Sequence, residues 1–435
     1  MTNWHLKFSL KRTFGELKID IKSDSLKLLE LEIGLGELEK LTHNRLRRVI
    51  HKALQFLRSQ KAIIESIDLK TIKNKFSTDF IITSLFEANY VFNKYSPNKF
   101  PVADFSHLKT NLNTEKQIIL NSINFCKDLI NEPANIMTPL ALAEAAQKLS
   151  NKNLQVKVLN SAECQDLGLN TFLAVSQGAA AKPYLIEFTY NNSSSDEYIG
   201  LIGKGLTYDT GGLSLKPNKY MYGMKSDMSG AAVIMGIFKA LSELNWSVSA
   251  KGLILACENS FDANSFRPGD IIKTLSGKTV EIVDTDAEGR LVLADALTYF
   301  SQQKEINKII DYATLTGSCA ATLGDKAAGA FTNNNSFLKE FGLASALTGE
   351  EIWQLPMFEE YKTDLESSCA DLLQCAGLPD ASLAALFLQE FIMDKKPWLH
   401  LDIAGVAYLD EKDDYYEMGP TGWGIWSTLQ YLKPN

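Results

Sequence analysis

The stretch VEIVDTDAEGRLVLADALTYF, residues 280–300, holds two secondary-structure patterns on either side of a charged junction. Val280, Ile282 and Val283 are β-branched and apolar, which predicts a strand. Leu291, Val292, Leu293, Ala294, Ala296, Leu297 and Phe300 form an apolar run with no strand alternation, which predicts a helix. Between them stand Asp284, Asp286 and Glu288, then Gly289 and Arg290. Alternate residues of an extended chain face the same way, so the three acids are expected to point to one side. Like charges held that closely repel, and desolvation adds to the cost. A solvated turn entering a helix N-terminus explains Glu288 alone. A cation site at the carboxyl end of a strand, where open α/β sheets place their ligands, explains all three.

Around this junction the chain alternates helices with apolar strands from about residue 115 onward. Strands are expected at 154–159, 184–190, 198–202, 249–257, 280–283, 308–313 and 398–403, with helices such as 230–244 and 291–303 between them. That alternation predicts an α/β fold. A mixed, mainly parallel sheet sandwiched by helices is expected in a C-terminal domain, residues 111–435. Residues 1–110 mix short strands and helices, as a smaller N-terminal α/β domain would. Within them Leu38, Leu41, Leu46, Val49, Ile50, Ala53, Leu54 and Leu57 recur at helical spacing. The opposite face carries Arg45, Arg47, Arg48, Lys52, Arg58 and Lys61, a basic stripe that is usually just solvated. The polar interval 96–114 is read as a linker, and 191–195 as a short Asn-Ser turn.

A chain of 435 residues makes one large or two medium domains. With 45% hydrophobic and 22% charged residues it has the balance of an ordinary globular protein. The net charge of -8 argues against general nucleic-acid affinity. Residues 1–100 hold 18 Lys and Arg against 11 Asp and Glu, and the remainder holds 26 against 41, an asymmetry that suggests two units. The six cysteines form no CxxC pair and no zinc-finger spacing, which fits a reducing compartment. The opening MTNWHLKFSLKRTF lacks the apolar core of a signal peptide, and no run approaches a membrane span. A cytoplasmic location without membrane contact is expected.

A second group of polar residues lies in 199–230, IGLIGKGLTYDTGGLSLKPNKYMYGMKSDMSG. Lys204 sits between Gly203 and Gly205, a sequence that is neither a P-loop nor GxGxxG. Asp209 precedes Gly211-Gly212, Lys216 precedes Pro217, and Asp227 precedes the small residues Ser229-Gly230-Ala231. Turn aspartates, a surface lysine and a helix cap would each account for one of them. Charge joins this segment to the first. Asp209, Asp227, Asp286 and Glu288 supply four negative charges, which two divalent cations would balance. Carboxylates bridging two metals at roughly 3.5–4 Å recur in co-catalytic hydrolases. Oxygen-rich ligation suits Mn, Mg or a tolerant Zn site. Five histidines and no HExxH make a His-based zinc protease a poor fit.

Together these residues resemble the leucine aminopeptidase (cytosol aminopeptidase) family of two-metal exopeptidases. The resemblance rests on Asp284-Thr-Asp-Ala-Glu-Gly-Arg-Leu-Val-Leu, Gly203-Lys-Gly with Asp209-Thr-Gly-Gly, Lys216, and Lys225-Ser-Asp227-Met-Ser-Gly. Asn131-Glu-Pro-Ala-Asn135 with Thr138-Pro139, Arg267-Pro-Gly-Asp270, Ala313-Thr-Leu-Thr-Gly317 and Leu401-Asp-Ile-Ala-Gly405 extend it. It covers about residue 120 to the end, and the first hundred residues carry no part of it.

The resemblance implies that Lys204, Asp209, Asp227 and Glu288 hold one divalent metal, while Asp209, Asp286 and Glu288 hold a second. Manganese or zinc is implied, with magnesium or cobalt as substitutes. Lys216 and Arg290 would be catalytic. Arg290 would retain bicarbonate as general base, helped by backbone at Gly289 and Leu315. Met224, Thr314, Gly317 and Ala404 would line the pocket for the substrate's first side chain. Asp284 stands where the family pattern has Asn, and its side chain is expected to face that pocket. Short peptides are the implied substrates and a homohexamer the implied assembly. A lysine ligates a metal only as the neutral amine, which nearby cations favour. Two other classes compete: a DNA-binding regulator, which needs a basic surface, and a non-catalytic hexameric scaffold, against which the complete ligand set argues.

Overall fold

A computed structural model describes residues 3–23, 28–97, 101–105, 112–193, 196–409 and 418–434. The chain divides into two compact units. One comprises Met1–Asn124, Ala346–Glu350 and Leu409–Gly419, and the other Phe125–Ser345, Glu351–Tyr408 and Pro420–Asn435.

The first unit is built on a four-stranded sheet in the order Leu17–Ser23, Leu28–Gly34, Asn3–Ser9, Ile63–Asp68. Asn3–Ser9 runs parallel to both neighbours, and Leu17–Ser23 closes one side antiparallel. The helix His43–Ser59 starts where Thr42 Oγ1 accepts the Arg45 N–H at 3.2 Å. Its apolar stripe Leu46, Val49, Ile50, Ala53, Leu54 and Leu57 is fully buried, as the spacing predicts. The basic stripe is less solvated than expected. Arg47 and Arg58 are both buried, and the Arg58 Nε donates to Pro101 O at 3.0 Å. Of the interval read as a linker, residues 98–100 and 106–111 lie outside the described residues. Residues 101–105 extend the sheet edge instead, since Ile64 N–H donates to Asp104 O and Asp104 N–H to Ala62 O. Of the Asn-Ser turn, 194 and 195 also lie outside the described residues.

The second unit holds an eight-stranded sheet. Its order is Ile352–Gln354, Ala328–Thr332, Trp398–Asp402, Ile306–Ala313, Tyr198–Asp209, Ser249–Asn259, Tyr184–Asn191, Leu154–Leu159. The four central strands, Trp398–Asp402 to Ser249–Asn259, are parallel, and antiparallel pairs flank them on both sides. The sheet is therefore mixed with a parallel centre, as the alternating pattern predicts. The helix Ser229–Leu244 covers one face and Glu288–Ser301 the other. Both are apolar around most of their circumference and almost wholly buried, as helices packed on two sides are. Contact with the sheet is close enough to require glycine: a Cβ on Gly203 would lie 2.5 Å from the Gly230 carbonyl oxygen. Among the described residues, no helix is long and apolar enough to cross a membrane.

One expected strand is placed differently. The segment read as a strand at 280–283 contributes only Thr279–Glu281, and it belongs to a separate three-stranded sheet with Ile271–Lys273 and Leu372–Leu373. The chain then turns before the helix begins at Glu288. β-branched residues favour an extended backbone locally, but strand partners are chosen by tertiary packing.

Candidate metal centre

The carboxyl ends of the central strands place most of the polar residues singled out in the sequence. Lys204 lies inside Tyr198–Asp209, and Asp209 ends that strand. Asp227 sits in the 3-10 helix Met224–Met228, just before Ser229–Leu244. Glu288 is the first residue of its helix, with Asp286 in the preceding turn. Thr314 follows the strand Ile306–Ala313. Asp209, Asp286 and Glu288 each offer a carboxylate oxygen, all within 4.8 Å of one another, a grouping that could hold a metal ion.

Two lysines lie among these acids. The Lys204 Nζ is 2.9 Å from Asp227 Oδ1, 2.9 Å from Glu288 Oε1, and donates to Thr314 O at 3.1 Å. The Lys216 Nζ is 2.8 Å from Asp209 Oδ2 and 2.5 Å from Asp286 Oδ1. Burial alone would pull the Lys204 amine down, but Asp227, Glu288 and Asp209 outweigh it and hold it above its usual value. Lys216 is raised for the same reasons, with Asp209, Glu288 and Asp286 as its acids. The carboxyls of Asp227 and Glu288 are pushed up, first by burial and then by neighbouring acids that the lysines only partly offset. Asp286 is raised by burial as well. Four carboxylates against two ammoniums leave the pocket short of positive charge. Asp227 Oδ2 and Glu288 Oε2 are buried without a hydrogen-bond partner. Buried carboxylate oxygens are normally paired, so this donor set fits divalent cations.

The local sequence shapes the centre. Gly211 and Gly212 have φ of +86° and +65°, a turn that L side chains rarely adopt. A Cβ at Gly289 would lie 2.7 Å from Lys204 Cε and 2.8 Å from its Nζ, so glycine leaves the amine its place. Thr314 Oγ1 donates to Asp227 Oδ1 at 2.8 Å.

The remaining predicted residues are arranged around this centre. Asp284 does not join the three-carboxylate group. Its Oδ1 accepts the Asp286 N–H at 2.9 Å, and its own N–H donates to Gln374 Oε1. Alternation fails here because the backbone turns. The Leu315 and Ala404 N–H groups both donate to Asp402 Oδ1, at 3.2 and 3.1 Å. Gly317 opens the helix Gly317–Leu323 and faces open space at its Cβ position. Met224 is half-buried at the start of its 3-10 helix. Arg290 is buried, and its guanidinium reaches Asp380 Oδ1 at 2.7 Å and Gln374 O at 3.4 Å.

Four polar residues escaped the sequence reading. Asn259 is fully buried and donates through Nδ2 to Asp209 Oδ1 at 2.8 Å and to Thr285 O at 3.0 Å. Its signal was a polar residue ending an apolar strand. Asp402 gathers the loop after Ile306–Ala313 through Leu315, Thr316 and Ala404. It lies inside a quoted motif but carried no role. Gln374 and Asp380 come from a segment with no pattern to mark them.

The cytosol aminopeptidase family, catalytic domain, matches residues 124–429. A "Probable cytosol aminopeptidase" of Clostridium tetani is 39% identical, over 97% of this chain and 90% of its own length. One of Fusobacterium nucleatum is 40% identical, over 93% and 85%. The solved structure of "Bottromycin maturation enzyme BotP in complex with Mn" superposes with a TM-score of 0.85 at 28% identity, covering 99% of this chain and 98% of its own. The chain therefore belongs to the cytosol aminopeptidase family, and is a metallo-aminopeptidase, a hydrolase acting on peptides.

Proposed function

We propose that the chain removes the N-terminal residue from short peptides, using two bridged divalent cations. The observation that carries this reading is the convergence of Asp209, Asp286 and Glu288 beside the unpartnered oxygens of Asp227 and Glu288. Lys204, Asp209, Asp227 and Glu288 would hold one cation, and Asp209, Asp286 and Glu288 the other. Lys204 can act as a ligand only after losing the proton its acidic neighbours now hold on it. Manganese or zinc is proposed, with magnesium or cobalt compatible with the same oxygen donors. The manganese complex of the bottromycin maturation enzyme supports the first choice. Held by those residues, such cations would supply Lewis-acid polarisation of a carbonyl and a more acidic water.

Lys216 is the oxyanion partner in this reading. Its ammonium is held by Asp209 and Asp286, and with those acids neutralised by bound cations it would be available to a substrate oxyanion. Met224, Asp284, Thr314, Gly317 and Ala404 are proposed to surround the substrate's first side chain. Residues 111–435 are proposed as the catalytic domain and 1–110 as its smaller companion. A cytoplasmic homohexamer completes the proposal. A DNA-binding role has less support, since Arg47 and Arg58 are buried rather than presented.

The bicarbonate implied at Gly289, Arg290 and Leu315 does not fit. Asp380 holds the Arg290 guanidinium and Asp402 holds the Leu315 N–H, so the chain's own carboxylates take two of the donors.

The test is to strip the protein of metal and add back Mn, Zn, Co or Mg, with a panel of aminoacyl-amides and their N-acetylated forms. Hydrolysis is expected only with metal and a free α-amine. Full turnover by chelated protein, or equal cleavage of acetylated peptides, overturns the reading.

A further inference from the structure

Arg290 is one residue past the Glu288-Gly289 pair, yet its guanidinium does not meet any of the four site carboxylates in the structure. It is buried, with a side-chain exposure of 4%, and its Nη2 lies 2.7 Å from Asp380 Oδ1. Asp380 opens the helix Asp380–Gln389, where a negative charge is favoured by the aligned peptide dipoles. Its other oxygen, Oδ2, accepts the Ser318 hydroxyl at 3.3 Å. Both oxygens are thus engaged from two separate helices, Gly317–Leu323 and Glu288–Ser301. The Arg290 Nη1 donates to Gln374 O at 3.4 Å, and its Nε is buried without a hydrogen-bond partner. A second anion on Nη2 would meet the Asp380 charge in a site that screens it poorly.

We propose that Asp380 is the built-in anionic partner of Arg290, a positioning residue that makes this aminopeptidase independent of exogenous bicarbonate. The inference rests on the aminopeptidase reading proposed above, with Arg290 two residues along the chain from the proposed ligand Glu288. An arginine stays charged, and a buried guanidinium without an anion is costly. A carboxylate supplied by the fold is already in place when substrate arrives and needs no free ion to be captured. Removing that carboxylate would vacate a cationic cradle of the size and charge a small oxyanion fills.

The experiment compares metal-loaded wild type with Asp380→Gly and with the nearly isosteric Asp380→Asn, in buffer freed of carbon dioxide and in the same buffer with added bicarbonate. Binding of carbon-13 bicarbonate is followed directly by NMR on the same samples. Wild type is expected to keep its kcat in both buffers and to bind no bicarbonate specifically. Both variants are expected to lose kcat by roughly 10²-fold in the depleted buffer, the scale for a misplaced site group. Added bicarbonate should restore much of that loss, saturably, and should bind the variants but not a variant that also carries Arg290→Ala. A wild-type rate that falls on depletion, or specific bicarbonate binding by wild type, overturns the proposal. So does a folded, metal-loaded Asp380→Asn whose rate is unchanged or indifferent to bicarbonate. Absence of hydrolysis in every sample would instead count against the aminopeptidase reading, while the NMR binding result still decides the role of Asp380.

Discussion

Glu288 is fixed by helix geometry and Asp286 by the turn before it, yet both must reach Asp209 on a distant strand. Their joint action is expected to be all-or-none. Asp286→Ala or Glu288→Ala should abolish activity because each removes a carboxylate from the three-acid group, while circular dichroism stays native because losing one acid relieves a pocket overloaded with them. Lys216 differs, since it balances two carboxylates without completing the three-acid group. Lys216→Ala should lower kcat by roughly 10²–10³ with metal content near that of wild type, as for loss of one oxyanion stabiliser. Metal analysis and steady-state kinetics on one preparation check both statements, and metal lost in step with activity would make Lys216 structural. Asn259 orients Asp209 from behind. Asn259→Ala should weaken metal affinity by about 10- to 100-fold, the scale for losing a partner that orients a ligand.

Among the elements, the loop from Thr314 to Gly317 depends on Asp402. That buried carboxylate accepts the N–H groups of Leu315, Thr316 and Ala404 and the Thr316 hydroxyl. Asp402→Ala strands several donors, each lost partner costing roughly 1–3 kcal/mol. A lower melting temperature is expected, along with a higher KM, since the loop lies against Lys204 through Thr314 O. Calorimetry and kinetics on the variant would show whether the loop's order matters beyond stability. An unchanged melting temperature would mean that other contacts hold it.

For the whole molecule, the buried acids couple stability to pH and metal. Asp227 and Glu288 hold their protons more tightly in the fold than in an unfolded chain. Their contribution to the metal-free fold is fully present below the ordinary carboxylate range, and is lost as pH rises through the raised values. Metal binding needs the deprotonated form and neutralises that charge. The rise in melting temperature on adding manganese or zinc should therefore be larger at roughly pH 8 than at roughly pH 6. Proton release on metal addition, measured by calorimetry in buffers of different ionisation enthalpy, gives an independent reading. Equal thermal shifts at both pH values would mean that these acids are already ionised in the metal-free protein.

The sequence alone determined much of this protein. Apolar runs at strand and helix spacing marked the elements of the large sheet, because burial on both faces leaves a near-continuous hydrophobic signature. The ligand candidates were legible as well. Acids beside glycines at the ends of apolar strands are too costly to be casual, and the charge count joined two segments far apart in the chain. The tertiary structure decided the rest. Which sheet receives Thr279–Glu281 depends on partners supplied from Ile271–Lys273 and Leu372–Leu373. That Arg47 and Arg58 are buried depends on chain that folds back over them, since Arg58 meets Pro101. Asp284 is left out of the group that Asp286 and Glu288 join with Asp209, because the backbone turns after it and alternation holds only while a strand continues. Asn259 and Asp380 reach Asp209 and Arg290 across gaps of 50 and 90 residues, and no local pattern encodes a pairing that distant. Periodicity records what each residue's neighbours in sequence require, whereas the partner of a buried charge is set by whichever segment folding brings beside it.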